Sequence, residues 1–194
     1  MLTVPNLLTL LRLFLVPCFL VASFNDRFTL AFVLFVTAAV TDIFDGMIAR
    51  RFNQRSRLGA LLDPAADKTM MVCGYLFYTV HSSVKVQIPN WLTFTVLIRD
   101  VLIVVFVYLL YTRVQVKRFP PSWVGKASTV TQAVTLAGTI ALNGFLPQIG
   151  PFCVILFRIA LGITLYSAFD YLRRGRGLLE GGLNVALTKA AAGH

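Results

Sequence analysis

Charge is scarce in this chain. Charged residues make up 13% of its 194 positions, against about 25% in a typical soluble domain. Only eight residues are acidic. With 57% apolar residues and a mean hydropathy of +0.76, this scarcity argues against an ordinary water-soluble domain. Cysteine is sparse too. Cys18, Cys73 and Cys153 fall in separate apolar runs without metal-ligand spacing, which argues against a thiolate metal site and leaves packing as their role. No internal repeat, low-complexity tract or separate soluble domain is visible.

What is abundant is hydrocarbon. Apolar runs cover 5–24, 29–49, 59–81, 90–112, 123–143 and 150–171, each near the roughly 20 residues needed to span about 30 Å of lipid as a helix. The runs are continuously apolar rather than alternating, so they read as helices and not barrel strands. The first is not expected to be a cleavable signal, since it starts without a basic region and carries Arg12 inside it.

The basic residues predict orientation. Arg50, Arg51, Arg55, Arg57, Arg113, Lys117, Arg118, Lys126, Arg173, Arg174, Arg176 and Lys189 fall on one side, and only Arg27 and Lys85 on the other. By the positive-inside rule both termini are cytoplasmic. The expected fold is therefore an all-α integral membrane protein of six transmembrane helices. Residues 1–176 form the membrane domain, and 177–194 a flexible or interfacial tail. The formal net charge of +10 comes mostly from these loops, so anionic lipid headgroups are its natural neighbours and nucleic acid is not an expected partner.

Against this background the acids stand out. Asp42, Asp45, Asp63 and Asp67 are four of the eight, within twenty-six positions and beside long apolar stretches. An isolated carboxylate in hydrocarbon is costly, so intramembrane acids line a cavity, pair with cations or bind metal. On a helix Asp42 and Asp45 share a face that Gly46 and Ala49 extend, small residues that permit close approach of a bulky ligand. Asp63 and Asp67 lie one turn apart. Pro64 between them either kinks the third helix or sits just inside its start with Asp63 as N-cap. Folding the two segments as a hairpin brings both pairs to one depth at the cytoplasmic side. Four carboxylates at one point repel unless divalent cations lie among them. Oxygen-only ligands favour Mg²⁺ or Mn²⁺, two ions being expected, with substrate phosphates as remaining ligands. The alternative for any one acid is a helix cap or a pair with Arg50 or Lys68.

The arrangement Asp-x₂-Asp-Gly-x₂-Ala-Arg-x₈-Gly-x₃-Asp-x₃-Asp, carried here by Asp42, Asp45, Gly46, Ala49, Arg50, Gly59, Asp63 and Asp67, resembles the motif of the CDP-alcohol phosphatidyltransferases, with every fixed position present. The resemblance extends over most of the chain, since that family has six transmembrane helices with the motif across the second and third. The segment Val4-Pro5-Asn6-Leu7-Leu8-Thr9-Leu10-Leu11-Arg12 is similar to the start of its phosphatidylglycerophosphate and cardiolipin synthases.

The resemblance implies transfer of a phosphatidyl group from CDP-diacylglycerol to an alcohol, with release of CMP. It implies metal ligation by all four aspartates and a general-base role for Asp67. Gly46, Ala49, Arg50 and Gly59 would shape the cytidine and phosphate pocket, with Asn6, Thr9 and Arg12 reaching it from the first helix. It further implies a homodimer, located in the inner (cytoplasmic) membrane with the site facing the cytoplasm.

A second anion site is needed for the acceptor. Arg99, ten residues into the fourth span, and Lys126, in Trp123-Val124-Gly125-Lys126, are its candidates. Asp100 follows Arg99, and the alternative is a structural ion pair with another span. Two acceptors compete: glycerol 3-phosphate, favoured by Arg51-Phe52-Asn53-Gln54 and the Gly125-Lys126 element, and phosphatidylglycerol. The latter is favoured by Arg99-Asp100-Val101-Leu102 and by Val107 where the first branch often carries another arginine. Glycerol 3-phosphate is the preferred expectation. A transporter or cation channel could also use intramembrane acids, but these cluster at one depth instead of forming a path, and no repeat symmetry accompanies them.

Overall fold

A computed structural model of the chain describes residues 4–52, 57–114, 123–146 and 152–191, with side chains described over 10–42, 68–105, 123–146 and 152–174. It contains six helices: α1 Val4–Phe24, α2 Phe28–Phe52, α3 Arg57–Val80, α4 Asn90–Val114, α5 Trp123–Gly144 and α6 Phe152–Ala191. Among the described residues there is no strand. The apolar runs foretell these elements to within three residues at every boundary but one. α6 continues as helix to Ala191, far beyond the end of its apolar run at 171.

Short punctuation sets the helix order. α1 ends in a tight reversal in which Arg27 N donates to Ala22 O at 2.9 Å and Asp26 N to Ser23 O at 3.1 Å. This is a Schellman cap, and Asp26 occupies its left-handed position with φ 55°; a short polar side chain tolerates that conformation better than most. α3 begins at Arg57, so Pro64 lies inside the helix and Asp63 is not its N-cap. The connection from α3 to α4 is pinned by Asn143 of α5. Its amide accepts from Val86 N and donates to Val86 O, both at 3.0 Å.

α1 packs against α2 and α3, α6 against α4 and α5, and α2 joins the two groups by packing on α5. A ring cluster fills the end of the bundle near the α1–α2 turn. Phe19 lies 6.2 Å from Phe35 and 6.5 Å from Tyr78, and Phe28 lies 6.0 Å from Tyr78. At Gly74 a Cβ would fall 2.5 Å from Leu136 Cδ2, so the missing side chain is what lets α3 and α5 approach closely.

α5 inverts the pattern of a water-soluble helix. Its buried positions include Ser128, Gln132, Thr135, Thr139 and Asn143, while Val130 and Val134 are 62% and 53% exposed. The buried groups are hydrogen-bonded: Thr135 and Thr139 hydroxyls donate to carbonyls one turn back at 2.7 and 2.8 Å, and Tyr75 OH donates to Gln132 O at 3.0 Å. Polar inside and apolar outside is the arrangement suited to a hydrocarbon solvent. Among the described residues, Phe152–Arg174 of α6 is long and apolar enough to cross a membrane, with mean hydropathy 2.0 over 23 residues, and Leu10–Phe24 and Phe28–Asp42 are shorter apolar stretches.

Candidate active site

Two charged clusters lie at the end of the bundle away from the rings. In the first, Arg12 of α1 places Nη1 2.9 Å from Asp42 Oδ1 of α2. The arginine is 1% exposed and the aspartate 47%. A guanidinium so deeply buried needs a counter-charge, since an unpaired buried ion costs several kcal/mol. Asp42 supplies it through one oxygen while the rest of its side chain reaches the open.

The helical backbone of α2 runs unbroken through positions 42, 45, 46 and 49, and that of α3 through 59, 63 and 67. The intervals that the sequence suggested are therefore helical ones, on two helices that follow one another across a short connection. The side chains of Asn6, Thr9, Asp45, Gly46, Ala49, Arg50, Gly59, Asp63 and Asp67 lie outside the described residues.

In the second cluster Asp100 of α4 joins two cations. Its Oδ2 receives Lys68 Nζ of α3 at 2.5 Å, and its Oδ1 receives Arg99 Nη1 at 2.8 Å. Lys68 is 40% exposed, Asp100 13% and Arg99 5%. Arg99 also donates through Nη2 to Ser167 Oγ of α6 at 2.9 Å and to Gly125 O of α5 at 3.3 Å. Its guanidinium carbon sits 5.8 Å from the centre of the Tyr171 ring. One side chain therefore touches two helices, α5 and α6, besides its own neighbour Asp100. Below it, Gln132 Nε2 donates to Ser128 Oγ and Thr164 Oγ1, each at 3.3 Å, tying α5 to α6.

Arg99 is thus a buried junction with both terminal nitrogens engaged. Lys126 takes another course. It is exposed, and its ammonium lies 5.3 Å from the centre of the Trp123 ring, a cation–π contact typical of an interface anchor. The structure brings Gly125, and not the Lys126 side chain, to Arg99. Arg99 pairs with its neighbour Asp100 on the same helix rather than directly with another helix, and Asp100 in turn reaches α3 through Lys68. Sequence reasoning gave no role to Ser167 or Tyr171, and weighed Lys68 only as a partner for the motif acids. A signal for Lys68 did exist: a cation directly after Asp67, inside an apolar run.

A metal set can be tested on Asp42. Its carboxylate is a hard oxygen donor, it remains 47% exposed, and Arg12 Nη1 lies 2.9 Å from its Oδ1. Ligating carboxylates are themselves commonly hydrogen-bonded in this way, so this residue fits the role. Among the described residues no group of three or more metal-ligating side chains occurs, and three of the four acids lie outside them.

Comparison with known proteins bears on the same residues. The CDP-alcohol phosphatidyltransferase family matches residues 2–167. A protein of Salmonella choleraesuis (strain SC-B67) named CDP-diacylglycerol–glycerol-3-phosphate 3-phosphatidyltransferase is 36% identical over 180 residues, covering 90% of this chain and 95% of its own length. A relative of the same name from Shigella flexneri serotype 5b is 35% identical, covering 89% and 94%. A protein of Mycobacterium tuberculosis H37Rv named probable phosphatidylglycerophosphate synthase is 33% identical, covering 87% and 79%. With its eight motif residues carried on α2 and α3 and the match extending over most of its length, the chain belongs to the CDP-alcohol phosphatidyltransferase family.

Proposed function

We propose that this chain transfers the phosphatidyl group of CDP-diacylglycerol to glycerol 3-phosphate, forming phosphatidylglycerophosphate and CMP. The observation that carries the reading is the agreement between the complete motif on α2 and α3 and full-length relatives named for that reaction. Phosphatidylglycerol as acceptor, giving cardiolipin, has no such support from the relatives reported above.

In this reading Asp42, Asp45, Asp63 and Asp67 hold two Mg²⁺ or Mn²⁺ ions. When bound, such ions polarise the phosphoryl oxygens and neutralise charge on the leaving CMP. The chain's own groups do the rest. Asp67 takes the proton from the attacking hydroxyl, which a carboxylate does well when neighbouring acids and burial raise its pKa. Arg12 keeps the Asp42 carboxylate oriented. Gly46, Ala49 and Gly59 leave room for the nucleotide, with Arg50, Asn6 and Thr9 beside it. The acceptor's phosphate monoester carries more negative charge than a diester and calls for cations; Lys68, Arg99 and Lys126 are those at hand.

The setting is a bilayer crossed six times, with both termini and the acids on the cytoplasmic side, where the lipid-linked nucleotide and a water-soluble acceptor both arrive. The inverted polarity of α5 and the many exposed apolar side chains support this. At 1.5 Å per residue the 40-residue α6 is about 60 Å long, twice the hydrocarbon thickness, so its C-terminal part would extend past the membrane. The assembly is a homodimer in the inner membrane.

The test is CMP release from CDP-diacylglycerol by the purified chain with Mg²⁺, supplied separately with glycerol 3-phosphate and with phosphatidylglycerol, and product identification by mass spectrometry. Release with glycerol 3-phosphate and a lyso-free phosphatidylglycerophosphate product are expected. No release with either acceptor would sink the enzymatic reading, and release with phosphatidylglycerol alone would replace the acceptor.

A further inference from the structure

We infer that Asp100 is a positioning residue for the acceptor: it holds Lys68 and Arg99 at a set separation so that an anionic glycerol-type acceptor meets them as one site. This rests on the reading above that the chain transfers a phosphatidyl group to such an acceptor. Asp100 divides its two oxygens between two cations from different helices, Lys68 Nζ at 2.5 Å and Arg99 Nη1 at 2.8 Å. The trio keeps one net positive charge in a partly buried place. Two cations alone there would repel, and each would turn away; a carboxylate between them makes their proximity stable.

Each cation retains capacity for an anion. Lys68 is 40% exposed and its ammonium can donate three hydrogen bonds, of which Asp100 takes one. Arg99 has both Nη atoms engaged by protein, while its Nε is buried with no hydrogen-bond partner among the described residues. A buried donor without a partner is uncommon and is one place where a ligand oxygen is accommodated.

The link also spans the site. Lys68 follows Asp67 directly on α3, so tethering Lys68 to α4 constrains the rotation of α3 just where the general base resides. Arg99 in turn reaches Ser167 and Gly125, so the same carboxylate connects α3 with α5 and α6. A chain of contacts thus runs from the residue beside the base to the helices on the acceptor side. Among the described residues nothing comparable connects Lys126, whose ammonium rests on Trp123.

The experiment is steady-state CMP release by the purified full-length chain, varying glycerol 3-phosphate at saturating CDP-diacylglycerol and then the reverse. Removing one partner of a buried charge pair typically weakens a dependent interaction by at least about tenfold. Asp100→Asn should therefore raise KM for glycerol 3-phosphate by about tenfold or more, with KM for CDP-diacylglycerol changed by less than about twofold. Asp100→Glu should recover part of the loss. Lys68→Gln should act in the same direction, and the double variant should be no worse than Asp100→Asn alone, because the two residues serve one arrangement.

A fall in kcat with both KM values unchanged would make Asp100 merely structural and overturn the proposal. So would multiplying effects of Asp100→Asn and Lys68→Gln. Should Asp100→Asn fail to fold, Lys68→Gln and Ser167→Ala keep the question open to refutation: each should raise only the acceptor KM, and unchanged values in both would overturn it. Wild-type chain that uses phosphatidylglycerol but not glycerol 3-phosphate overturns the acceptor reading instead, before any variant is compared.

Discussion

At one end of the helix bundle Arg12 meets Asp42 at 2.9 Å and Asp100 joins Lys68 to Arg99. At the other, Phe24 and Phe77 meet edge to face at 4.9 Å, and Phe77 stacks on His81 at 4.6 Å. The ionic end has partners whose geometry is directional and whose separation is expensive, as suits a place where charged substrates must be oriented. The aromatic end has contacts that are individually weak and collectively large, as suits a place whose task is to keep helices together. Charged groups buried at one end would be poor value for stability alone, because well-packed apolar residues often serve as well. On the proposed function, the contrast separates what the fold needs from what the reaction needs.

The contrast can be broken most decisively at the ionic end. Asp67→Asn removes the proposed base, and general-base contributions are typically about 10²–10⁴-fold, so CMP release should fall by that order while thermal unfolding in detergent is little changed. Preserved turnover would detach the motif from the chemistry. At the aromatic end the opposite split is expected. Phe19 is fully buried between Phe35 and Tyr78, and Phe19→Ala should destabilise by about 3–5 kcal/mol. Rate per folded molecule, measured below the lowered melting temperature, should stay near wild type. A variant that unfolds readily and is also slow when folded would mean that the two ends are energetically coupled.

The helices were legible because each coincides with a continuous apolar run in the sequence, and the motif was legible because its spacing is local to two adjacent helices. Pairings between distant positions were not. Nothing in the neighbourhood of Arg99 points to Ser167, sixty-eight positions later, and Lys126 looks like its natural companion until the backbone carbonyl of Gly125 takes that place. Pro64 showed how a local rule can mislead: Pro64 after Asp63 resembles a helix start, yet α3 begins at Arg57. The polar stripe Ser128, Gln132, Thr135, Thr139, Asn143 recurs every three or four residues, so the inward polar face of α5 was available to periodicity had polar rather than apolar residues been followed.

Arg12→Met sharpens the contrast at intermediate size. It keeps most of the buried volume and removes the cation that holds Asp42. Residues that orient a metal ligand typically contribute about 10–100-fold in metal affinity or activity. The expected result is a rightward shift of the Mg²⁺ dependence of CMP release by that order. A loss of maximal rate with an unchanged Mg²⁺ midpoint would detach Arg12 from the metal role of Asp42.

The smallest effect tests whether hydrogen bonds matter to holding helices together in the way the rings do. Thr79 of α3 and Thr93 of α4 share a hydroxyl contact at 2.6 Å, and the Thr79 hydroxyl also donates to Tyr75 O at 2.6 Å. Thr93 is 3% exposed, so Thr93→Val preserves shape and deletes one polar contact, leaving the Thr79 hydroxyl its carbonyl partner. Interhelical hydrogen bonds in membranes average about 0.6 kcal/mol. Thr93→Val should lower stability by about that amount, several times less than Phe19→Ala, with no change in either KM. A loss as large as that of Phe19→Ala would show that α3 and α4 are clamped by polar contacts at this end too. The division between an ionic working end and an aromatic structural end would then have to be redrawn.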